Sequence, residues 1–193
     1  MIPTTEVYLA QVNWSDHETR QHLLGLAEED RQQAARYRHP ERLRSFVASR
    51  WLLRQALTGS EGRDANWRFG RQHNRLTLDP QQTSRHASLS HTPNWVACIL
   101  SDSRHCGIDL EQRQPNPRLM AIAQRFFHPD EYQWLLATPD DQRLDLFLDL
   151  WTRKEACVKA WHCGLAHHLA AIRFNRAMLA PASCPDAYRM LPL

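Results

Sequence analysis

Asp109 and Glu111 stand two residues apart in the run Gly107-Ile108-Asp109-Leu110-Glu111. In an extended strand that spacing points both carboxylates to one side, roughly 6–7 Å apart along the backbone. Like charges that close repel unless a cation or a cationic side chain lies beside them. Taken alone, the pair fits an exposed strand face at least as well as a site. Glu155 raises a second question. Leu144, Phe147, Leu148, Trp151 and Val158 form the apolar stripe of a helix beginning near Asp140, and Glu155 falls on that stripe one turn after Trp151. A carboxylate at a core position needs a partner. An i,i+4 bridge to Lys159 would be partner enough.

Taken together, Asp109, Glu111 and Glu155 make a set of hard oxygen ligands, the kind that suits Mg²⁺ with water and phosphate oxygens completing its shell. Lys154 and Lys159 beside the set would offset further phosphate charge. That chemistry belongs to a phosphoanhydride or phosphodiester, where a metal stabilises developing charge. Ser88, Ser90 and His91, at the end of a short strand, would add hydrogen bonds to a phosphate. A softer set, Cys157, His162, Cys163 and His167, has spacing that does not share a helix face, so zinc is not expected there.

Of the 24 basic residues in this 193-residue chain, Lys154 and Lys159 are the only lysines; the other 22 are arginines. Lysine and arginine are not equivalent at a phosphate. Seven arginines (Arg31, Arg36, Arg38, Arg42, Arg44, Arg50, Arg54) crowd residues 31–54 against the single acid Glu41, whereas 109–155 is predominantly acidic. The imbalance suggests a polyanion met by one part and a metal by the other, although a solvated helix face explains the arginines equally. The hydrophobic and charged fractions are those of an ordinary globular domain, and no apolar run approaches the ~18 residues of a membrane span. The start, MIPTTEVYLAQVNW, lacks a basic segment followed by an apolar one, so no signal peptide is expected. Cys98, Cys106, Cys157, Cys163 and Cys184 lack CxxC spacing, and reduced thiols in a cytoplasmic protein are the expectation.

The elements that must position these residues follow from periodicity and punctuation. A strand is expected over 6–12, a polar helix over 15–36, and a second helix over 41–58 ended by Gly59. Short strands are expected at 67–69, 76–78, 87–90 and 95–100, the last two joined by the turn His91-Thr92-Pro93-Asn94. His105–Glu111 alternates as a strand. Helices are expected from Leu119, from Pro129 and from about Asp140 to Cys163, with a last strand over 170–175. The region 102–104 divides the chain into halves, 1–102 and 103–193.

In order along the chain, Ser88-Leu89-Ser90-His91, Gly107-Ile108-Asp109-Leu110-Glu111 and Trp151-Thr152-Arg153-Lys154-Glu155-Ala156-Cys157-Val158-Lys159 resemble the motifs of 4′-phosphopantetheinyl transferases. The segment Arg125-Phe126-Phe127-His128-Pro129-Asp130-Glu131-Tyr132 and the helix carrying Phe46, Arg50 and Arg54 add to the likeness. The chain is similar to the larger, monomeric, surfactin-synthetase-activating type. The resemblance implies an α+β fold, a pseudo-dimer of two similar halves with coenzyme A between them. It implies transfer of the phosphopantetheine arm to a serine of an apo acyl, peptidyl or polyketide carrier protein, leaving 3′,5′-ADP. Asp109, Glu111 and Glu155 would hold Mg²⁺; Ser90, His91, Lys154 and Lys159 would meet phosphates; Arg31, Arg36 and Arg44 would meet the adenosine 3′-phosphate. Glu131 would assist deprotonation of the carrier serine, with Glu111 as the rival through a water on the metal. A Gly-Lys-Pro turn usual in the family is replaced by Asn74-Arg75-Leu76, where Arg75 supplies the cation, and no closing strands are evident after residue 175. Neither nucleic acid nor membrane is expected as a partner.

Two other readings use the same residues. A Mg²⁺-dependent nuclease also needs strand carboxylates and a lysine, but Glu111 is followed by Gln112-Arg113 rather than the Glu-x-Lys such a strand carries. A non-catalytic binder of nucleic acid or acidic protein would use the arginine helix and would leave Glu155 unexplained.

Overall fold

A computed structural model describes residues 4–63, 65–72, 75–161 and 169–174, with the side chains of Arg71, Gln72 and Arg75 left aside. The first half is built on an antiparallel sheet in the order β1-β5-β4, from β1 (Thr5–Gln11), β4 (His86–His91) and β5 (Trp95–Ser101). The register places Tyr8 opposite Cys98 and Leu89 opposite the same residue from the other side. One face of this sheet is closed by α3 (Pro40–Glu61). Val96, Cys98 and Leu100 of β5 pack with Leu53, Ala56 and Leu57 of that helix and with Trp67 in a fully buried core. A second pair of strands, β2 (Phe69–Gln72) and β3 (Arg75–Leu78), completes this half.

The helix expected over 15–36 is two helices, α1 (Asp16–Leu24) and α2 (Glu28–Ala34). Ser15 opens the first with a reciprocal capping box to Glu18, and Gly25 closes it. The α3 helix runs past Gly59 to end at Gly62, whose φ of 65° is the left-handed conformation glycine adopts without steric cost.

The second half packs α4 (Leu119–Phe126), α5 (Pro129–Ala137) and α6 (Asp140–Trp161) around Leu119, Ala123, Phe127, Leu135, Phe147 and Leu150. Phe127, Phe147 and Trp151 stack with ring centroids 5.2–6.3 Å apart, within the range of favourable offset aromatic pairs. The architecture is α+β, as expected. Two expected strands are absent among the described residues: neither 105–111 nor 170–174 joins a ladder. Ile108 N donates to Ser88 Oγ (3.4 Å) and Leu110 N to Ser90 Oγ (3.1 Å), so two serine hydroxyls of β4 take amides that a neighbouring strand would otherwise take. The strand expected over 105–111 is not formed; over 108–110 the segment is held by two serine side chains instead. Cys98 is a buried free thiol; Cys163 and Cys184 lie outside the described residues, as do His162 and His167 of the set considered for zinc.

Candidate active site

Gly107 is where the two halves of the site meet. A Cβ added there would lie 2.0 Å from the carbonyl oxygen of Ala156 and 2.6 Å from the amide of Ala160. Only a residue without a side chain lets 105–111 run against the backbone of α6. That approach places Asp109 beside Lys159. Lys159 Nζ donates to Asp109 Oδ1 (2.7 Å), to Ser90 Oγ (3.1 Å) and to the carbonyl of Ile108 (3.0 Å), while Ser90 Oγ donates to the same Asp109 oxygen (2.9 Å). The end of β4, the segment 105–111 and α6 thus converge on one carboxylate.

Glu111, two residues on, accepts a hydrogen bond from Trp151 Nε1 (3.0 Å). Partial burial, then the neighbouring charge of Asp109, raise its pKa above the ordinary carboxylate value. Glu155 is pushed up to about 7, first by partial burial, then by Asp109 and Glu111, with Lys159 opposing. These shifts say that the three acids feel one another in a poorly solvated place. His91, at the end of β4, is lowered by partial desolvation and by Lys159, although part of its ring meets solvent.

Asp109 is nearly buried, and its Oδ2 has no hydrogen-bond partner. A buried carboxylate oxygen left unsatisfied is costly. Among the described residues, no three Asp, Glu, His or Cys side chains converge closely enough as they stand to hold a metal. The donor chemistry nevertheless fits a hard dication: carboxylates only, mutually repelling, with one oxygen unpaired.

The sequence expectations divide here. Asp109, Glu111, Glu155, Ser90, His91 and Lys159 come together. Glu131 and Lys154 do not join them. Both are fully buried and paired with each other, Lys154 Nζ to Glu131 Oε2 at 2.7 Å. Burial lowers the Lys154 pKa, with Glu131 working against it. Adjacent helix residues point ~100° apart, so Lys154 faces the core when Glu155 faces Asp109. Ser88 is likewise buried and engaged with Ile108 N.

The arginine cluster divides too. Arg31 donates to the carbonyls of Leu24 (3.2 Å) and Leu26 (2.8 Å) and pairs with Glu28 (2.7 Å), closing the turn between α1 and α2. Arg50 and Arg54 flank the buried Asp30, at 3.0 and 3.4 Å, and stack near Phe46 and Phe69. Asp30 lies one residue before the window in which the sequence counted a single acid. Arg44 pairs with Asp16 at 3.3 Å. Arg36, Arg38 and Arg42 are exposed. The Arg75 side chain lies outside the described residues.

Two contributors escaped sequence reasoning. Trp151 reads as part of the apolar stripe, and its indole N–H orients Glu111. A half-buried tryptophan one turn before an acid on the same face was the available signal, since a buried indole N–H seeks an acceptor. The contact at Gly107 had no signal, because it depends on where α6 lies.

Residues 105–182 match the family model described as the 4′-phosphopantetheinyl transferase superfamily. The chain is 34% identical over 145 residues to the 4′-phosphopantetheinyl transferase HetI of a Nostoc species, covering 73% of this chain and 61% of that protein. It is 33% identical over 145 residues to a 4′-phosphopantetheinyl transferase of Bacillus subtilis, covering 75% and 63%. To the 4′-phosphopantetheinyl transferase Sfp of Bacillus subtilis it is 29% identical over 177 residues, covering 90% and 78%. The chain thus spans less than two thirds of the length of the first two relatives.

Proposed function

We propose that this chain, which is similar to 4′-phosphopantetheinyl transferases over most of its length, moves the phosphopantetheine arm of coenzyme A onto a serine of an apo carrier protein. The observation that carries this reading is Asp109, gripped by Lys159 and Ser90 with its Oδ2 unpaired, and near enough to Glu111 and Glu155 to raise the pKa of both. The serine oxygen attacks the phosphorus bearing the pantetheine arm. The phosphoanhydride bond breaks, 3′,5′-ADP leaves with the bond's electron pair, and the serine proton passes to a carboxylate.

Asp109, Glu111 and Glu155 would hold Mg²⁺, which when bound would offset the pyrophosphate charge and stabilise the leaving oxygen. Lys159 supports phosphate binding as a compact charge that several acceptors share. Ser90 and His91 lie at the same end of β4 and would contribute hydrogen bonds. Glu111 is the proton acceptor best supported by position, its Oε1 oriented by Trp151 Nε1. The arginines left for the adenosine 3′-phosphate are Arg36 and Arg44, with Arg75 as a further cation. The remaining parts of the reading rest on the resemblance: two similar halves divided near 102–103, a monomer, and action in the cytoplasm. Among the described residues no helix is long and apolar enough to cross a membrane.

The test is direct. The protein is incubated with coenzyme A, Mg²⁺ and a panel of apo carrier domains, and each carrier is weighed. A mass gain equal to one phosphopantetheine arm on the carrier serine is expected, dependent on Mg²⁺. No gain on any carrier, with nicking of plasmid DNA instead, would replace this reading with the nuclease.

A further inference from the structure

Lys154 and Glu131 carry charges that the site does not use. Glu131 Oε1 accepts the amide of Phe174 (2.9 Å), and Oε2 accepts the amide of His128 (3.0 Å) and the ammonium of Lys154 (2.7 Å). Lys154 Nζ donates to Glu131, to the carbonyl of Leu169 (2.8 Å) and to the carbonyl of Ile172. An ammonium has three donors, and all three are taken. The rings of Phe127 and Phe174 lie 5.4 and 5.8 Å from the same nitrogen. Neither side chain has any exposed surface. Sealed from solvent, Lys154 is closed to a phosphate and Glu131 to a serine hydroxyl.

The partners belong to three separate pieces of chain: the start of α5, the middle of α6, and 169–174. Leu169 and Ile172 are themselves buried against Val158 of α6. Lys154 immediately precedes Glu155, and on a helix five residues separate Lys154 from Lys159 by ~140°. An anchor on one side of α6 sets where the other side points.

We propose that Lys154 and Glu131 form a buried positioning latch, which ties α6 to α5 and to 169–174 and fixes the rotation of α6 that presents Glu155 and Lys159 to Asp109. The consequence for turnover rests on the function proposed above; the latch itself does not. Breaking one side of a buried ion pair strands a charge, whereas replacing both partners with neutral groups of similar shape relieves it.

The experiment is a double-mutant cycle on the full chain with Glu131→Gln, Lys154→Met and the pair of them. Thermal melts, amide exchange at 169–174, and turnover and KM for coenzyme A per folded molecule are measured. Each single variant is expected to melt lower, exchange faster at 169–174 and lose about tenfold or more in turnover. The double variant is expected to melt higher than the two single losses added together would allow, and to turn over faster than Glu131→Gln alone. A folded double variant as inactive as Glu131→Gln would make Glu131 a base. Unchanged melting and exchange in Lys154→Met, with a raised KM for coenzyme A, would make Lys154 a phosphate contact. Either result overturns the latch. If the wild-type protein transfers no arm to any carrier, the functional reading falls while melting and exchange still decide the latch.

Discussion

The two sides of α6 carry the same kinds of charge and treat them in opposite ways. On the inner side, Lys154 and Glu131 are sealed from water, and every donor of the lysine has an acceptor. On the outer side, Lys159 is about a third exposed; it shares Asp109 with Ser90, while Glu155 and Glu111 crowd the same place. A satisfied buried pair adds rigidity, and mutation of one partner is expected to disturb packing. A cluster of half-satisfied acids is strained until a cation or a phosphate-bearing ligand arrives, which is the condition of a binding site. Neither residue type nor the lysine's count of acceptors distinguishes the two cases, since Lys159 also has three; exposure and the unpaired oxygen of Asp109 do.

The contact that holds the two sides in place is the strongest way to break this contrast. Gly107→Ala puts a methyl group into the backbone of α6. The variant should lose about 3 kcal/mol or more of stability and all detectable transfer, read by thermal melting and by carrier mass. A variant that melts like the wild type would mean that 105–111 does not press on α6.

Next come the acids. Asp109→Asn and Glu155→Gln should each lower turnover about a hundredfold or more; Glu155→Gln should leave the melt unchanged or raised, because it relieves repulsion, and Asp109→Asn should lower it modestly, because it unpairs Lys159. Loss of folding in either would place it with the latch rather than the site.

The pH dependence sharpens the same point. Glu155 holds its proton more tightly in the folded state, at about 7 against 4.5 for the free group. Folding is therefore favoured while the carboxyl is protonated. That contribution is lost as pH rises from the free value through the folded one. The melting temperature without added metal should fall across that window, and Glu155→Gln should flatten the slope. Mg²⁺ should raise the melting temperature of the wild type at pH 8 and should not do so for Glu155→Gln. A flat wild-type profile would remove Glu155 from the coupled cluster.

The smallest effect is expected at Trp151. Trp151→Phe keeps a ring in the stack with Phe127 and Phe147 but loses the hydrogen bond to Glu111. A single such bond is worth about 0.5–1.5 kcal/mol, so turnover should drop only several-fold, and no change would mean that Glu111 needs no orienting.

Much of this was legible beforehand. The stripe of α6 with Glu155 on it and the helices that begin near Leu119 and Pro129 depend on local period and residue type. The errors have a common physical cause. Lys154 was assigned to phosphate because it neighbours Glu155 in sequence, whereas helical geometry turns adjacent residues apart. Glu131 sits at the third position of a capping box with His128, a local role that its place in a family-like motif concealed. The arginine cluster read as a free positive surface because charge was counted along the chain, and Asp30 reaches Arg50 and Arg54 only across the packing of α2 on α3.

By itself, then, the sequence determined which acids, lysines and serines were candidates, since residue type and spacing are read directly, and it determined most helices, since period is a local property. Only the tertiary structure decided which lysine meets the acids, which glutamate is free to act, and why residue 107 must be glycine. Those depend on partners and distances of approach between pieces of chain far apart in sequence, and no local pattern encodes them.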